Sequence, residues 1–213
     1  RVAELIGPKT KAILPVHLYG QPADLDPLQA FGLPIVEDAA HAAESRYRGR
    51  KLGGLSAATC FSLYATKNIA AGEGGLIATN DATVAEAIDA LRVMRRGHGS
   101  LYDIPVAGYK ANLSDVLASI ALVQLDKVER HGVIRQRQFE LYDEGLAGVP
   151  GVTPVERDAR DTHAYHLYAV RIDAEAFGAT RDEVQQALTA ENIGTSIHFL
   201  PVHRLTAYGD RDR

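Results

Sequence analysis

Three consecutive stretches decide the fold: Ala12-Ile13-Leu14-Pro15-Val16, then Asp24-Leu25-Asp26-Pro27-Leu28-Gln29-Ala30-Phe31-Gly32, then Leu33-Pro34-Ile35-Val36-Glu37-Asp38. The first and third are short apolar runs that end in polar residues, His17 and Glu37-Asp38, and read as buried strands. In the middle stretch Asp24 is placed to cap a helix, Leu25, Leu28 and Phe31 recur at helical spacing, and Gly32 is a stop. Strand, helix and strand in this order predict a parallel α/β sheet.

Further along, Thr59 to Leu63 and Leu76 to Thr79 predict two more strands. Asn80-Asp81 are placed to cap a helix with apolar positions Val84, Ile88, Leu91 and Met94. From Ser114, the spacing of Val116, Ile120, Val123, Leu125 and Val128, then Ile134, Phe139, Leu141 and Leu146, predicts a long helical passage bent near Gly132. After Pro150-Gly151 the pattern changes to a strand over Tyr165 to Ile172, a helix over Arg181 to Glu191 and a strand over Thr195 to Phe199. The expected organisation is a mostly parallel sheet flanked by helices over residues 1–147, joined by a connecting helix to part of a smaller α+β domain over 148–213. Arg1 in place of an initiator methionine and the polar run Gly209 to Arg213 read as two cut ends.

The 213 residues are 46% hydrophobic and 23% charged, enough apolar content for a buried core. A formal net charge of −4 with no long Lys/Arg run argues against a nucleic-acid or anionic-membrane partner and for a small molecule. Cys60 is the only cysteine, which excludes an internal disulfide and a multi-cysteine metal site. No bilayer-length apolar run or signal-peptide pattern is present, so the expected location is cytoplasmic.

The segment richest in chemistry is Ser62-Leu63-Tyr64-Ala65-Thr66-Lys67-Asn68, followed by Gly72-Glu73-Gly74-Gly75. It sets a lysine just past a buried strand, where α/β sheets place their ligands. A lysine partly withdrawn from water there has its ammonium weakened and becomes an amine able to form a Schiff base; a plain surface lysine on a turn is the alternative. Asp38 ends an earlier strand, in Ile35-Val36-Glu37-Asp38-Ala39-Ala40-His41. An aspartate so placed can pair with a protonated pyridine nitrogen, or can simply cap a following helix.

Taken together, the order strand–Asp38–x–x–His41, then strand–Ser62–four residues–Lys67, resembles the DegT family of pyridoxal-phosphate-dependent sugar aminotransferases. The likeness extends to Pro15-Val16-His17-Leu18-Tyr19-Gly20-Gln21-Pro22, to Gly108-Tyr109-Lys110-Ala111-Asn112-Leu113-Ser114-Asp115 and to Gly194-Thr195-Ser196-Ile197-His198-Phe199. The resemblance implies an aspartate-aminotransferase-like large domain and pyridoxal 5'-phosphate as cofactor. Lys67 is then the Schiff-base lysine, Asp38 the partner of the pyridine nitrogen, His41 a neighbour of the ring's phenolic oxygen, unless it is a satisfied structural histidine, and Ser62 a phosphate ligand. Lys110 and Asn112 would reach the cofactor phosphate of the other subunit in a homodimer, unless Lys110 is merely solvated and Asn112 caps the helix starting near Leu113. His198 would approach a nucleotide-linked keto sugar, with glutamate as amino donor. A metal site at His198 and His203 lacks a third ligand. The resemblance also implies a phosphate-binding turn and a ring-stacking aromatic upstream of Arg1. Rival readings are a catalytically incomplete or regulatory relative, and a sugar dehydratase of the same family, against which Lys67 argues.

Overall fold

The computed structural model describes residues 1–93, 104 and 106–209; Met94 with the stretch 95–103, residue 105 and residues 210–213 lie outside the described residues. In chain order the elements up to residue 146 are α1 (Val2–Leu5), α2 (Leu25–Gln29), β1 (Val36–Asp38), β2 (Arg46–Tyr47), β3 (Arg50–Lys51), β4 (Ala58–Ser62), β5 (Gly75–Ala78), α3 (Ala82–Val93), α4 (Asp115–Leu125) and α5 (Val128–Leu146). They are followed by β6 (Val152–Pro154), β7 (Val170–Ile172), α6 (Ala174–Phe177) and α7 (Arg181–Ala190).

The chain divides into two compact units, one of residues 1–145 with 155–169 and one of 146–154 with 170–213. The sequence reading put residues 155–169 in the second part; the structure places them in the first. They are bound there by main-chain bonds, from Ala164 N–H to Gly20 C=O at 3.0 Å and between Arg46 and Thr162 in both directions at 2.8 and 3.0 Å. Gly20 permits this approach: its φ is +108°, and a Cβ there would stand 3.1 Å from that of Ala164.

In the first unit the sheet order is β1-β4-β5. β1 runs parallel to β4, with Asp38 opposite Cys60, and β5 runs antiparallel to β4, with Gly75 opposite Ser62. The segment 12–16 lies parallel to β1 through isolated bridges, Ile13 with Ile35 and Val16 with Asp38. It forms no continuous strand because Pro15 has no N–H to give a ladder; its carbonyl accepts from Asp38 N–H at 2.9 Å. The expected mostly parallel sheet is thus corrected to a mixed α/β arrangement of small sheets among the described residues. The reason is local: β4 and β5 are joined by the Lys67 turn without a crossover helix, and such a link brings the chain back antiparallel.

Two helical expectations also change. Asp24 occupies the cap position of α2 but makes no cap bond, since its Oδ1 accepts from Tyr47 Oη at 2.7 Å. The long passage breaks at Asp126-Lys127, between α4 and α5, and Gly132 sits inside α5. Gly132 serves close approach instead of bending: a Cβ there would stand 3.1 Å from Glu44 Oε1. Asp81 does cap α3, its Oδ1 accepting from Thr83 and Val84 N–H at 2.8 and 3.2 Å.

The core of this unit gathers Leu25, Ala39, Ala42, Tyr47 and Leu52, with Leu55 and Phe61 against it. Full burial of a side chain such as Leu25 contributes about 1.5–3 kcal/mol. A second, aromatic cluster holds His163 between Phe139 and Tyr165, with ring centroids 5.6 and 5.0 Å away. His163 Nδ1 accepts from Tyr165 N–H at 2.8 Å. Burial, helped by the Arg157 charge, holds its ring pKa down at about 4. A depressed histidine leaves the unfolded chain binding the extra proton between its ordinary pKa, about 6.5, and the folded value. The contribution of His163 to stability is therefore constant above that range and falls as pH drops through it, by about 3 kcal/mol. Urea midpoints measured from pH 7.5 to 4 check this, and His163→Asn should flatten that part of the profile.

In the second unit β6 and β7 pair antiparallel, and α7 begins with a capping box between Thr180 and Glu183. Only Val170–Ile172 of the strand expected over residues 165–172 is a strand, because Tyr165 takes φ +51° and its neighbours bond to the Tyr19-Gly20 turn. The stretch Thr195 to Phe199 is irregular and not a strand. No helix among the described residues is long and apolar enough to cross a membrane.

Candidate active site

After β4 the chain turns through residues 63–74 and re-enters the sheet as β5. The turn is closed by main-chain bonds: Leu63 N–H to Gly74 C=O at 2.9 Å, Ala65 N–H to Gly72 C=O at 3.0 Å and Ala71 N–H to Leu63 C=O at 2.8 Å. Lys67 N–H is bonded to Tyr64 C=O at 2.9 Å, so the lysine is held on an ordered platform. Its side chain is half-buried. Burial lowers the amine pKa, and the Asp38 carboxylate opposes that shift without cancelling it. The charge of one residue singled out in the sequence thus reaches the amine of the other.

Asp38 ends β1, and its Oδ1 accepts from Ala40 N–H at 3.0 Å. The chain continues there as a turn, so no following helix is capped by it. Strand alternation sets Asp38, Cys60 and Ser62 on one face of the sheet. That face, with Leu14, Val36 and Ala40, lines an open cavity of about 260 Å3. The Cys60 thiol is pushed up by burial and by the Asp38 charge, so it is a poor nucleophile. Ser62 Oγ accepts from Tyr64 N–H at 3.3 Å, at the start of the turn.

His41 packs on two rings, Tyr19 at 6.3 Å in a parallel stack and His166 at 4.6 Å, and its Nδ1 accepts from Tyr19 N–H at 3.3 Å. His166 Nδ1 meets Asn68 Oδ1 at 3.0 Å, while Asn68 Nδ2 donates to Ala164 C=O at 2.8 Å and to Glu44 Oε2 at 2.5 Å. Glu44 in turn pairs with Arg135 of α5. Asn68, next to Lys67, therefore ties the lysine turn to the segment 155–169 and to α5. Sequence reasoning missed Glu44, Asn68, Arg135 and His166. Asn68 beside Lys67 was the one available signal, since its histidine partner lies 98 positions away.

On the other face of β1 lies a second unforeseen group. His17 and Glu37 are fully buried, with Nε2 to Oε2 at 2.7 Å, and Thr59 Oγ1 donates to Glu37 Oε1 at 2.9 Å. Burial raises the Glu37 carboxyl, but the contributions of its polar neighbours, the bonds from His17 and Thr59 first among them, together outweigh it and leave the group below the ordinary glutamate value.

Lys110 and Asn112 are exposed and bond to each other, in a segment tied to the end of α3 by Tyr109 N–H to Leu91 C=O at 2.6 Å. Asn112 does not cap α4; Ser114 does, its Oγ accepting from Leu117 N–H at 3.3 Å. In the second unit His198 is half-buried, its ring 4.0 Å from that of Phe199. Among the described residues no group of three or more His, Cys, Asp or Glu side chains is arranged to hold a metal ion.

A family model described as the DegT/DnrJ/EryC1/StrS aminotransferase family matches residues 1–213. The chain belongs to this family. A curated relative is the spore coat polysaccharide biosynthesis protein SpsC of Bacillus subtilis (strain 168), 40% identical over 93% of this chain and 55% of its own length. Similar solved structures include DesV of S. venezuelae in complex with a ketimine intermediate, at 36% identity and TM-score 0.89 over 99% of this chain and 56% of that one. DesI in the presence of its TDP-sugar product matches at 35% identity and TM-score 0.87, over 97% of this chain and 54% of that one. The chain thus spans about half the length of the relatives it matches.

The family's aminotransferases use pyridoxal phosphate. The donor set of this chain fits that group. A carboxylate at a strand end suits a pyridinium nitrogen, and an amine of lowered pKa within reach of that carboxylate's charge suits an aldehyde.

Proposed function

We propose that the protein to which this chain belongs is a pyridoxal-phosphate-dependent aminotransferase that moves an amino group, from glutamate, to a nucleotide-linked keto-deoxysugar. The observation that carries this reading is Lys67 on a closed turn, its amine pKa lowered by burial and its charge coupled to Asp38 at the end of β1. The likeness to DesI, solved in the presence of its TDP-sugar product, supports a nucleotide-linked sugar as substrate class.

When bound, pyridoxal phosphate supplies an electron sink for the carbon that gains or loses nitrogen. In this reading Lys67 would hold the cofactor through Nζ and would hold or move the proton at the reacting carbon, a task that needs an amine deprotonated near neutral pH. Asp38 holds a proton on the ring nitrogen. His41 would lie by the phenolic oxygen, Ser62 would bind the phosphate, and His198 would approach the sugar nucleotide. The large domain is assigned to residues 1–147 together with the returning segment 155–169, the smaller one to the rest of 148–213, and the protein to the cytoplasm. The complete gene product should release 2-oxoglutarate from glutamate only when a nucleotide-linked keto sugar accepts the nitrogen. A panel of such sugars tests this, and no turnover with any of them by a folded, cofactor-loaded protein would contradict the reading.

The same proposal makes the enzyme a homodimer in which Lys110 and Asn112 complete the phosphate site of the partner subunit, two-fold pairing being the commonest assembly. Mixing Lys67→Ala subunits with subunits altered at both Lys110 and Asn112 should then restore part of the activity that each parent lacks. In a mixed dimer one of the two sites combines an intact lysine with an intact crossing segment. Full activity of the Lys110/Asn112 variant alone would remove these residues from the site.

A further inference from the structure

Glu37 precedes Asp38 on β1, and strand alternation turns its side chain to the opposite face, where it is fully buried. The hydrogen bonds around it fix a protonation state. Ala23 N–H donates to His17 Nδ1 at 2.9 Å, so that nitrogen carries no proton; the ring proton sits on Nε2 and is given to Glu37 Oε2 at 2.7 Å. Thr59 Oγ1 supplies the second bond, at 2.9 Å. The buried pair is thus a carboxylate with a neutral imidazole, and it carries a net negative charge.

A charge is expensive to bury, and apolar side chains would pack this buried position at lower cost. The elements that hold this one also clamp Asp38. Asp38 N–H donates to Pro15 C=O and His17 N–H donates to Asp38 C=O, both at 2.9 Å. The buried carboxylate and the strand-end aspartate are therefore fixed with respect to each other by one main-chain register.

We infer that Glu37 is a positioning residue acting through Asp38: its charge, held by His17 and Thr59, deepens the negative potential at the end of β1 and favours a proton on the cofactor nitrogen that Asp38 would hold. The inference rests on the pyridoxal-phosphate reading. Nothing in it requires Glu37 to touch the cofactor, because two charges separated by a strand's thickness still interact in a poorly screened interior.

The test uses the complete protein loaded with pyridoxal phosphate labelled with 15N in the ring. In the parent the ring nitrogen should resonate as protonated pyridine. Glu37→Gln keeps the shape and loses the charge; the resonance should move toward the unprotonated value and the dissociation constant for pyridoxal phosphate should rise about tenfold. Thr59→Val removes one bond but leaves the charge, so it should lower the melting temperature without moving the nitrogen resonance. A folded Glu37→Gln protein with the parent's resonance, or equal movement in both variants, would overturn the inference in favour of a structural role. If Glu37→Gln does not fold, the 15N signals of His17 in the parent decide: a neutral ring protonated at Nε2 supports the buried net charge, and a doubly protonated ring overturns it. A parent that takes up no pyridoxal phosphate removes the functional reading, and the inference falls with it.

Discussion

Replacing Lys67 by alanine should abolish transamination, lowering the rate by more than about a thousandfold, because the same amine is asked both to hold the cofactor covalently and to move the proton at the reacting carbon. No second lysine is described in the 63–74 turn to take over either task. The main-chain bonds that close the turn run from Leu63, Ala65 and Ala71 and do not involve the Lys67 side chain, so the fold should survive the change. The visible absorption band of the loaded parent should disappear in the variant, while its far-ultraviolet circular dichroism stays the same. A variant that keeps both the band and the activity would move the attachment elsewhere.

Asp38→Asn should leave stability nearly unchanged and slow single turnovers by about a hundred- to a thousandfold, the usual cost of losing one preorganised charged partner. The amide keeps the oxygen that accepts from Ala40 N–H, which is the local structural duty of this side chain. What it loses is the negative charge that keeps a ring nitrogen protonated and the ring an electron sink. Rapid-mixing rates with saturating glutamate measure the effect. A rate within a few-fold of the parent would reduce Asp38 to a turn residue.

The strands of the site were legible where apolar runs are short and bounded by turn residues. Thr59 to Leu63 became β4 one residue earlier, Leu76 to Thr79 became β5 likewise, and Asp81 caps the helix it was expected to cap. Helix α7 was equally clear, since its capping box and apolar spacing agree. What escaped depends on contacts remote in sequence. Nothing local tells that residues 155–169 return to Gly20 and Arg46, or that Asn68 meets His166 and Glu44. The break at Asp126-Lys127 was masked by an unbroken apolar pattern, while Gly132 drew attention as a bend although its role is to admit Glu44. The mostly parallel sheet was over-read because periodicity alone does not give strand direction; β5 returns antiparallel through the turn that carries the lysine.

Lys67 and Asp38 were visible as residue types at strand ends, but their coupling was not. Only the structure shows the Asp38 charge acting on the Lys67 amine against the effect of burial. The buried His17–Glu37–Thr59 group was invisible for a related reason. A histidine and a glutamate 20 positions apart carry no pairing signal until the segment 12–16 is laid beside β1.

The central claim is that Lys67 carries the cofactor. Reducing the loaded, complete protein with borohydride and mapping its peptides tests this most directly. The account predicts a pyridoxyl group on Lys67 alone; label on Lys110 or any other lysine, or none on a folded protein that has bound pyridoxal phosphate, would contradict it.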